Sequence, residues 1–360
     1  MSGLDQPLVI AQSGYHVGHE RSWRAAEEQG FVKDEGLELY VYEPGGLIPA
    51  KFEADALGLQ MWERGVDIAT AVNVWSAVTQ RARGEDVYIV GGWRIMLGPK
   101  LIGAKGIMRP EQLRGGKSMA RDTAGMGHLG IVTALRTYGV APEDVEWIKN
   151  PLAGYGSDPG MIDLLRSGEL QFLSLGGEEA KQLVSEGHPV VLDLEDFYRQ
   201  RGAWPPGRVI VATAQTIEQR GEELRAFLRA SLRGFWFVED PRNYRYMYDL
   251  ETRLREKTFN EDERRLRMLK SETPPPGRET RRDTGPMAMD GLVSHAGLAG
   301  VVDSMVQFGE LERPIDVDDV LKDQASIDAL QQVLERGLID WQAVEQWRSV
   351  KGYGAAVEHQ

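Results

Sequence analysis

This sequence predicts an α/β fold of two lobes with an interdomain cleft, followed by a helical C-terminal extension. Three observations carry the prediction. First, one pattern occurs twice: Gln29–Ala71 and Thr137–Gly177 each read as a Gly stop, an acidic turn, an apolar strand, a Gly-rich loop, a helix, and a second Gly that opens another strand. Gly30 to Gly65 spans 35 residues and Gly139 to Gly168 spans 29. Two copies with different sequences do not make a solenoid; they make two strand–loop–helix lobes. Second, the Gly-rich loops fall at strand ends, where α/β folds bind ligands. Third, 360 residues with 42% hydrophobic content suffice for two cores and an appendage.

The elements follow in chain order. Leu8–Ala11 is a short apolar strand, and Trp23–Gly30 has helical character with a Gly stop. Gly36–Tyr42 and Val66–Val74 are the next strands. Asn73 or Ser76 is placed to cap a helix over Ala77–Arg83. Val87–Trp93 and Lys100–Ile107 read as strands crossing between lobes, with Gly91 and Gly92 serving the hinge. The second lobe opens with a strand over Leu113–Arg121, then small residues and an apolar helix over Leu129–Tyr138. Pro189–Leu194 is a late strand, Tyr198–Pro206 a turn, and Arg208–Ala214 a strand that returns to the first lobe. Leu224, Phe227, Leu228, Leu232 and Phe235 share one helical face over Glu222–Val238, as core rather than a cofactor box. The interleaved charges of Arg253–Arg267 read as a solvated helix face. The boundaries are 1–92 for the first lobe, 93–204 for the second, and 205–270 for the return segment. Ser271–Pro286, with its proline run, is a linker or long loop, and 287–360 is a helical extension packed on the first lobe.

Composition removes several function classes. The net charge is −13, from 42 basic and 55 acidic residues, which disfavours nucleic acid and anionic membrane surfaces as partners. The chain has no cysteine, so disulfides, thiolate metal sites and cysteine nucleophiles are excluded. No stretch approaches the about 18 apolar residues of a membrane span. The N-terminus has no basic n-region, apolar h-region or lipid-acceptor cysteine. As written, the sequence predicts a cytoplasmic protein, and a periplasmic one only if the native start lies upstream. Oligomeric state is not legible.

Five stretches then meet a family. Gly30-Phe31-Val32-Lys33-Asp34-Glu35-Gly36-Leu37-Glu38, Gly65-Val66-Asp67-Ile68-Ala69, Leu113–Ser118, Tyr138–Val145 and Arg208–Leu232 stand in the right order across roughly residues 8–310. They resemble the type II periplasmic-binding-protein superfamily, in its nitrate/sulfonate/taurine-binding and thiamine-pyrimidine-synthase-like branch. That superfamily holds solute receptors and also enzymes. The lack of cysteine separates this chain from the sulfinate desulfinase and from the synthase with its cysteine-rich iron motif. Tyr138–Trp147 and Tyr198–Pro205 are similar to blocks of 4,5-dihydroxyphthalate decarboxylase, although solute receptors carry looser versions of both.

The candidate site gathers at the predicted cleft loops. His16 and His19 follow the first strand, and His128 starts the second lobe's helix. Imidazole donates a proton near neutral pH, and removing an aryl carboxylate requires protonation of the carbon that loses it. The plainer reading makes His19 a solvated helix-start residue and His128 a structural one. His16, His19 and Glu20 with His128 also offer a divalent-metal set, but without the helical H-E-x-x-H frame, and no cofactor is expected. Arg121 is the carboxylate or sulfonate clamp, or else a surface ion pair. Thr123, Gly125 and Gly127 complete a helix-start anion site. Gly45 and Gly46 line the first lobe's loop beside Asn73. Tyr15, Trp75 and Tyr155 are placed to stack on a planar ligand, although Trp75 is equally a packing residue. Glu178 is placed to hold a ligand amine, while Glu178 and Glu179 together also suit a helix N-terminus.

Two functions are therefore expected from this sequence. The first is an intracellular cleft enzyme acting on a small, aromatic carboxylate, a decarboxylase-like lyase. The second is a solute-binding protein for an anionic compound, whose partner is an ABC permease.

Overall fold

The computed structural model describes residues 7–12, 17–42, 65–95, 99–120, 126–149, 159–175, 177–201, 204–258, 287–307 and 309–351. In chain order they form β1 (Leu8–Gln12), α1 (Val17–Glu28), α2 (Phe31–Asp34), β2 (Leu39–Tyr42), β3 (Ile68–Asn73), α3 (Val74–Ala82) and β4 (Tyr88–Ile95). Next come β5 (Lys100–Gly103), β6 (Lys117–Ala120), α4 (Met126–Arg136), β7 (Glu146–Lys149), α5 (Pro159–Ser167), β8 (Phe172–Leu175), α6 (Gly177–Ser185), β9 (Val190–Asp193) and α7 (Leu194–Arg201). The chain continues through β10 (Pro206–Ala212), α8 (Ala214–Gln219), α9 (Gly221–Glu239), α10 (Tyr244–Thr258), α11 (His295–Gln307), α12 (Val317–Val320), α13 (Gln324–Glu335) and α14 (Trp341–Lys351). Two compact units result. One is built from β1–β4 and from β10 onwards, the other from β5 through α7.

In the first unit the strand order is β2-β1-β3-β10-β4. β1 runs parallel to β2 and β3, and β10 runs antiparallel to β3 and β4. In the second unit β5 lies antiparallel between β8 and β9, and β6 pairs in parallel with β7. The Ser118 hydroxyl donates to the Phe172 carbonyl at 2.9 Å, which sets β6 beside β8. Reading across, β7-β6-β8-β5-β9 repeats the order of the first unit.

The repeat extends to single hydrogen bonds. Before β3, Asp67 accepts from Val9 N–H through Oδ2 and donates its own N–H to the Val9 carbonyl, both at 2.8 Å. Before β8, Gln171 does the same with Lys117, at 2.6 and 2.9 Å. A carboxylate in one copy and a carboxamide in the other perform one structural task. The glycines that mark each repeat serve alike: Gly30 (φ +78°) and Gly139 (φ +73°) turn the chain out of α1 and α4 in the left-handed region that a Cβ disfavours.

The first core packs Leu8, Ile10, Trp23, Val90, Trp93, Phe227 and Phe235, with Trp93 and Phe235 edge to face at 5.0 Å. Leu224, Phe227, Leu228, Leu232 and Phe235 of α9 are all buried there. Ala329, Leu330 and Val333 of α13 join the same core, so this part of the C-terminal region packs on the first unit. The second core centres on Ile102, Leu165, Leu170, Leu173 and Leu183.

Four local expectations change. α3 starts at Val74 rather than Ala77, because the Asn73 carboxamide oxygen accepts from Trp75 N–H at 3.1 Å and caps it. α1 starts at Val17 and takes in His19. Tyr198 lies in a helix rather than a turn: Asp193 Oδ1 accepts from the N–H groups of Glu195 and Asp196, and Leu194, Phe197 and Tyr198 form a buried face. Gly91 and Gly92 sit inside β4 rather than at a hinge. A Cβ on Gly92 would stand 2.4 Å from the Leu292 carbonyl oxygen and 2.9 Å from Ala288 Cβ, and Gly92 N–H donates to the Gly291 carbonyl at 2.8 Å. The glycine pair admits backbone, not bending. Gly92→Ala is expected to destabilise by about 1–3 kcal/mol, the cost of overpacking a site that cannot yield, as checked by urea unfolding. The linker expected over Ser271–Pro286 lies outside the described residues, as does the part of Arg253–Arg267 beyond Thr258.

Candidate functional site

In the first unit the chain leaves β1 towards β2 on one side, and β3 flanks β1 on the other. The two crossings diverge there, making a switch point at the strands' carboxyl ends. Gln12 pairs with Thr70 and Ala11 with Tyr42, so β1 and β2 end nearly together while β3 runs three residues further, to Asn73.

Asn73 closes β3 and faces Arg208 of β10, which in turn faces Arg94 of β4. β10 runs antiparallel to its neighbours, so its first residues stand at the carboxyl ends of β3 and β4. One carboxamide and two guanidinium groups thus share a row across three strands at that end of the sheet. Arg94 is 6% exposed and Arg208 half-buried. Arg208 Nη1 donates to the Ala71 carbonyl at 3.3 Å. Ala71 is the one non-glycine residue among those described with positive φ, +54°, and it is fully buried. That conformation costs an L-residue about 1–2 kcal/mol and marks the end of β3 as strained. Sequence reading passed over both arginines. The available signal was a lone charge in each of two apolar strands, YIVGGWRI and PGRVIVA.

In the second unit α4 opens with Met126, Gly127 and His128. The half-buried His128 ring stands edge to face on Trp147 at 4.3 Å and 83°. Trp147 is fixed by donating Nε1–H to the Pro142 carbonyl at 3.0 Å and by an edge contact with Phe172 at 5.5 Å. The Tyr198 hydroxyl donates to the Gly130 carbonyl at 3.3 Å, tying α7 to the helix that carries His128. Burial pushes the Tyr198 phenol well above the usual tyrosine range, so it stays a neutral donor. The tyrosine of the block similar to the decarboxylase therefore has a packing role in this chain. Glu178 and Glu179 fall in the first turn of α6, where the helix dipole favours acids.

The other expected site residues are distributed as follows. Trp75 is 8% exposed in the first turn of α3. His19 lies in α1. Tyr15, His16, Gly45, Gly46, Arg121, Thr123, Gly125 and Tyr155 lie outside the described residues. Two histidines that were not singled out are placed: His188 is buried with Nδ1 3.0 Å from the Gly103 carbonyl, and His295 lies on the surface 3.3 Å from Asp318. Among the described residues, no group of three or more His, Cys, Asp or Glu side chains is arranged to hold a metal ion. No helix among them is long and apolar enough to cross a membrane. A hollow of about 590 Å³ is lined by Phe31, Arg233, Trp236, Arg242, Ile339 and neighbours. It belongs to α2, α9 and the turn before α14, away from the strands' carboxyl ends.

Topology and repeat together define the mixed α/β fold of type II periplasmic-binding proteins, and solved structures agree over about nine-tenths of the chain. The putative periplasmic sulfonate-binding protein SsuA from Methylobacillus flagellatus KT matches with a TM-score of 0.57 at 12% identity, covering 92% of this chain and 96% of that one. The periplasmic nitrate-binding protein NrtA from Synechocystis PCC 6803 matches at 0.54 and 16%, covering 93% and 92%. The desulfurization enzyme DSZB matches at 0.51 and 14%, covering 90% and 99%. These likenesses establish the fold. The sequence itself matches the NMT1/THI5 like family over residues 23–243. The chain belongs to that family. Among curated proteins no sequence match is found.

Proposed function

We propose that this protein binds a small organic anion at the carboxyl ends of its parallel strands and acts as a solute receptor rather than a catalyst. The observation that carries the reading is the switch point at the ends of β1 and β3, in a fold whose matched structures include sulfonate- and nitrate-binding proteins. The partner of such a receptor is an ABC permease. The decarboxylase reading has less behind it. The enzyme among the matched structures described above is a desulfurization enzyme, not a decarboxylase. One of the two decarboxylase-like blocks also contains Tyr198, whose hydroxyl holds α4.

A thermal-stability screen with aromatic carboxylates, sulfonates and nitrate, followed by mass analysis of each compound, tests the proposal. A ligand at one hundred times its Kd should stabilise the fold by about 2.7 kcal/mol and be recovered unchanged. Recovery of a product lighter by the elements of CO2 would restore the lyase and its histidines. No stabilisation by any anion would remove the receptor.

A further inference from the structure

We infer that the hollow of about 590 Å³ beside Phe31 and Trp236 is a second ligand site, and that it takes an organic cation with an apolar, ring-sized body. The site lies within the first unit and is independent of the anion-binding reading above. Its volume falls in the range of about 300–1,000 Å³ usual for small-molecule pockets. Its walls are mainly apolar: Phe31 of α2, Trp236 and Phe237 of α9, Leu338 and Ile339 of the turn before α14, and Ala343 of α14 itself. Contacts of their own hold these walls. Trp236 donates Nε1–H to the Met289 carbonyl at 2.8 Å, and Phe237 stands edge to face with Phe31 at 6.1 Å and with Tyr246 at 5.3 Å. The hollow is therefore formed before any ligand arrives, which lowers the cost of binding. Leu338 remains 37% exposed, apolar surface that a ligand would cover.

Charge decides the ligand class. The charged residues of the lining are Arg233, Arg242, Glu239, Asp240 and Asp340. Both arginines already hold carboxylates. Arg233 donates to Asp34 at 2.8 Å, lies 3.7 Å from Glu35, and stacks on Phe31 with its guanidinium carbon 4.2 Å from the ring centroid. Arg242 donates through Nε and Nη2 to Asp240 at 2.8 and 2.5 Å. An anionic ligand would have to displace one of those acids. A cation meets the opposite situation. Glu239 is engaged within the protein. Asp340 Oδ1 accepts from the Gln342 N–H at 3.0 Å, a neutral donor, and Asp340 forms no ion pair among the described residues. Aromatic faces attract cations, and the stacking of Arg233 on Phe31 shows one ring of this wall in that use. The net charge of −13 adds a field that gathers cations. An ammonium or amidinium head at Asp340, with its apolar body against Trp236 and Ile339, matches the lining.

Ligand-observed NMR titration of the full chain with 2-phenylethylammonium, 2-phenylethanol and 3-phenylpropionate tests the inference, because the three share one body and differ in the charge of the head. Wild type is expected to bind the ammonium about 3- to 30-fold more tightly than the alcohol, the combined scale of a cation–π contact and an exposed ion pair. Asp340→Asn, which keeps an acceptor for the Gln342 N–H, should weaken the ammonium by about 2- to 5-fold and leave the alcohol unchanged. Ala343→Trp, which fills the hollow with a ring of its own, should abolish ammonium binding. Binding of 3-phenylpropionate that persists in Ala343→Trp is the expected result for an anion site elsewhere in the protein; binding of it that Ala343→Trp abolishes would overturn the ligand class. Ammonium held no more tightly than the alcohol, or not at all, would overturn the site. If Ala343→Trp fails to fold, Asp340→Asn decides, and wild-type ammonium affinity in it counts against the inference.

Discussion

Glu35→Ala is expected to cost about 3 kcal/mol of folding stability, because it leaves the largely buried Arg229 guanidinium without its carboxylate. The Glu35 side chain is 2% exposed, in the turn after α2. It accepts from Arg229 Nε at 2.7 Å and from Arg336 Nη1 at 2.8 and 3.0 Å, with Arg233 Nη1 at 3.7 Å. Arg229 and Arg233 belong to α9 and Arg336 caps α13, so one carboxylate joins three segments far apart in sequence. Arg229 also donates to Gln332 at 2.6 Å. The group has a pH signature. Burial raises the Glu35 pKa, but hydrogen bonds and charge from Arg229 and Arg336 outweigh it, and the net shift is downward. A depressed folded pKa gives stability that is fully present above the unfolded value of about 4.3 and is lost as pH falls through the folded one. Wild type should therefore lose melting temperature below that value more steeply than Glu35→Gln. Urea unfolding of Glu35→Ala measures the first effect; a loss under 1 kcal/mol would mean that the arginines find other partners.

Asp67→Ala is the second large effect, expected at about 2–3 kcal/mol. Asp67 accepts from Val9 N–H at 2.8 Å and from Arg220 Nη1 at 2.6 Å, in a site only 16% exposed at its side chain. Its removal strips an acceptor from the start of β1 and a partner from a half-buried arginine. Asp67 stands at the amino end of β3, away from the proposed ligand. Stability should fall while anion affinity in the folded fraction stays at the wild-type value. Weakened anion binding by a well-folded Asp67→Ala would bring the amino end of the sheet into the site and contradict the assignment.

Asp67 also shows what a sequence can and cannot tell. The family motif Gly65–Ala69 pointed correctly to the fold, and the reason is visible in its hydrogen bonds: the motif ties β3 to β1. The same task is done by Gln171 in the second copy, which is why the repeat was legible despite its different residues. The amphipathic α9 and the Gly stops at Gly30 and Gly139 were legible for the same kind of local reason. Gly91 and Gly92 were misread because they admit Ser326 and residues 288–292 against β4, an approach that no local pattern reports. Asn73 was legible as a cap, but α3 begins three residues earlier than hydrophobicity suggested. Arg94 and Arg208 were passed over because each alone is one charge in an apolar strand. They become a pair only through the register of β4 and β10, set by strands remote in sequence.

The most direct test of where this protein binds its ligand is a crystal structure with 4-bromobenzenesulfonate, its bromine located by anomalous scattering. The account predicts the bromine at the carboxyl ends of β1 and β3. Bromine found only in the hollow beside Phe31 and Trp236, or at the amino end of the sheet near Asp67, would contradict it.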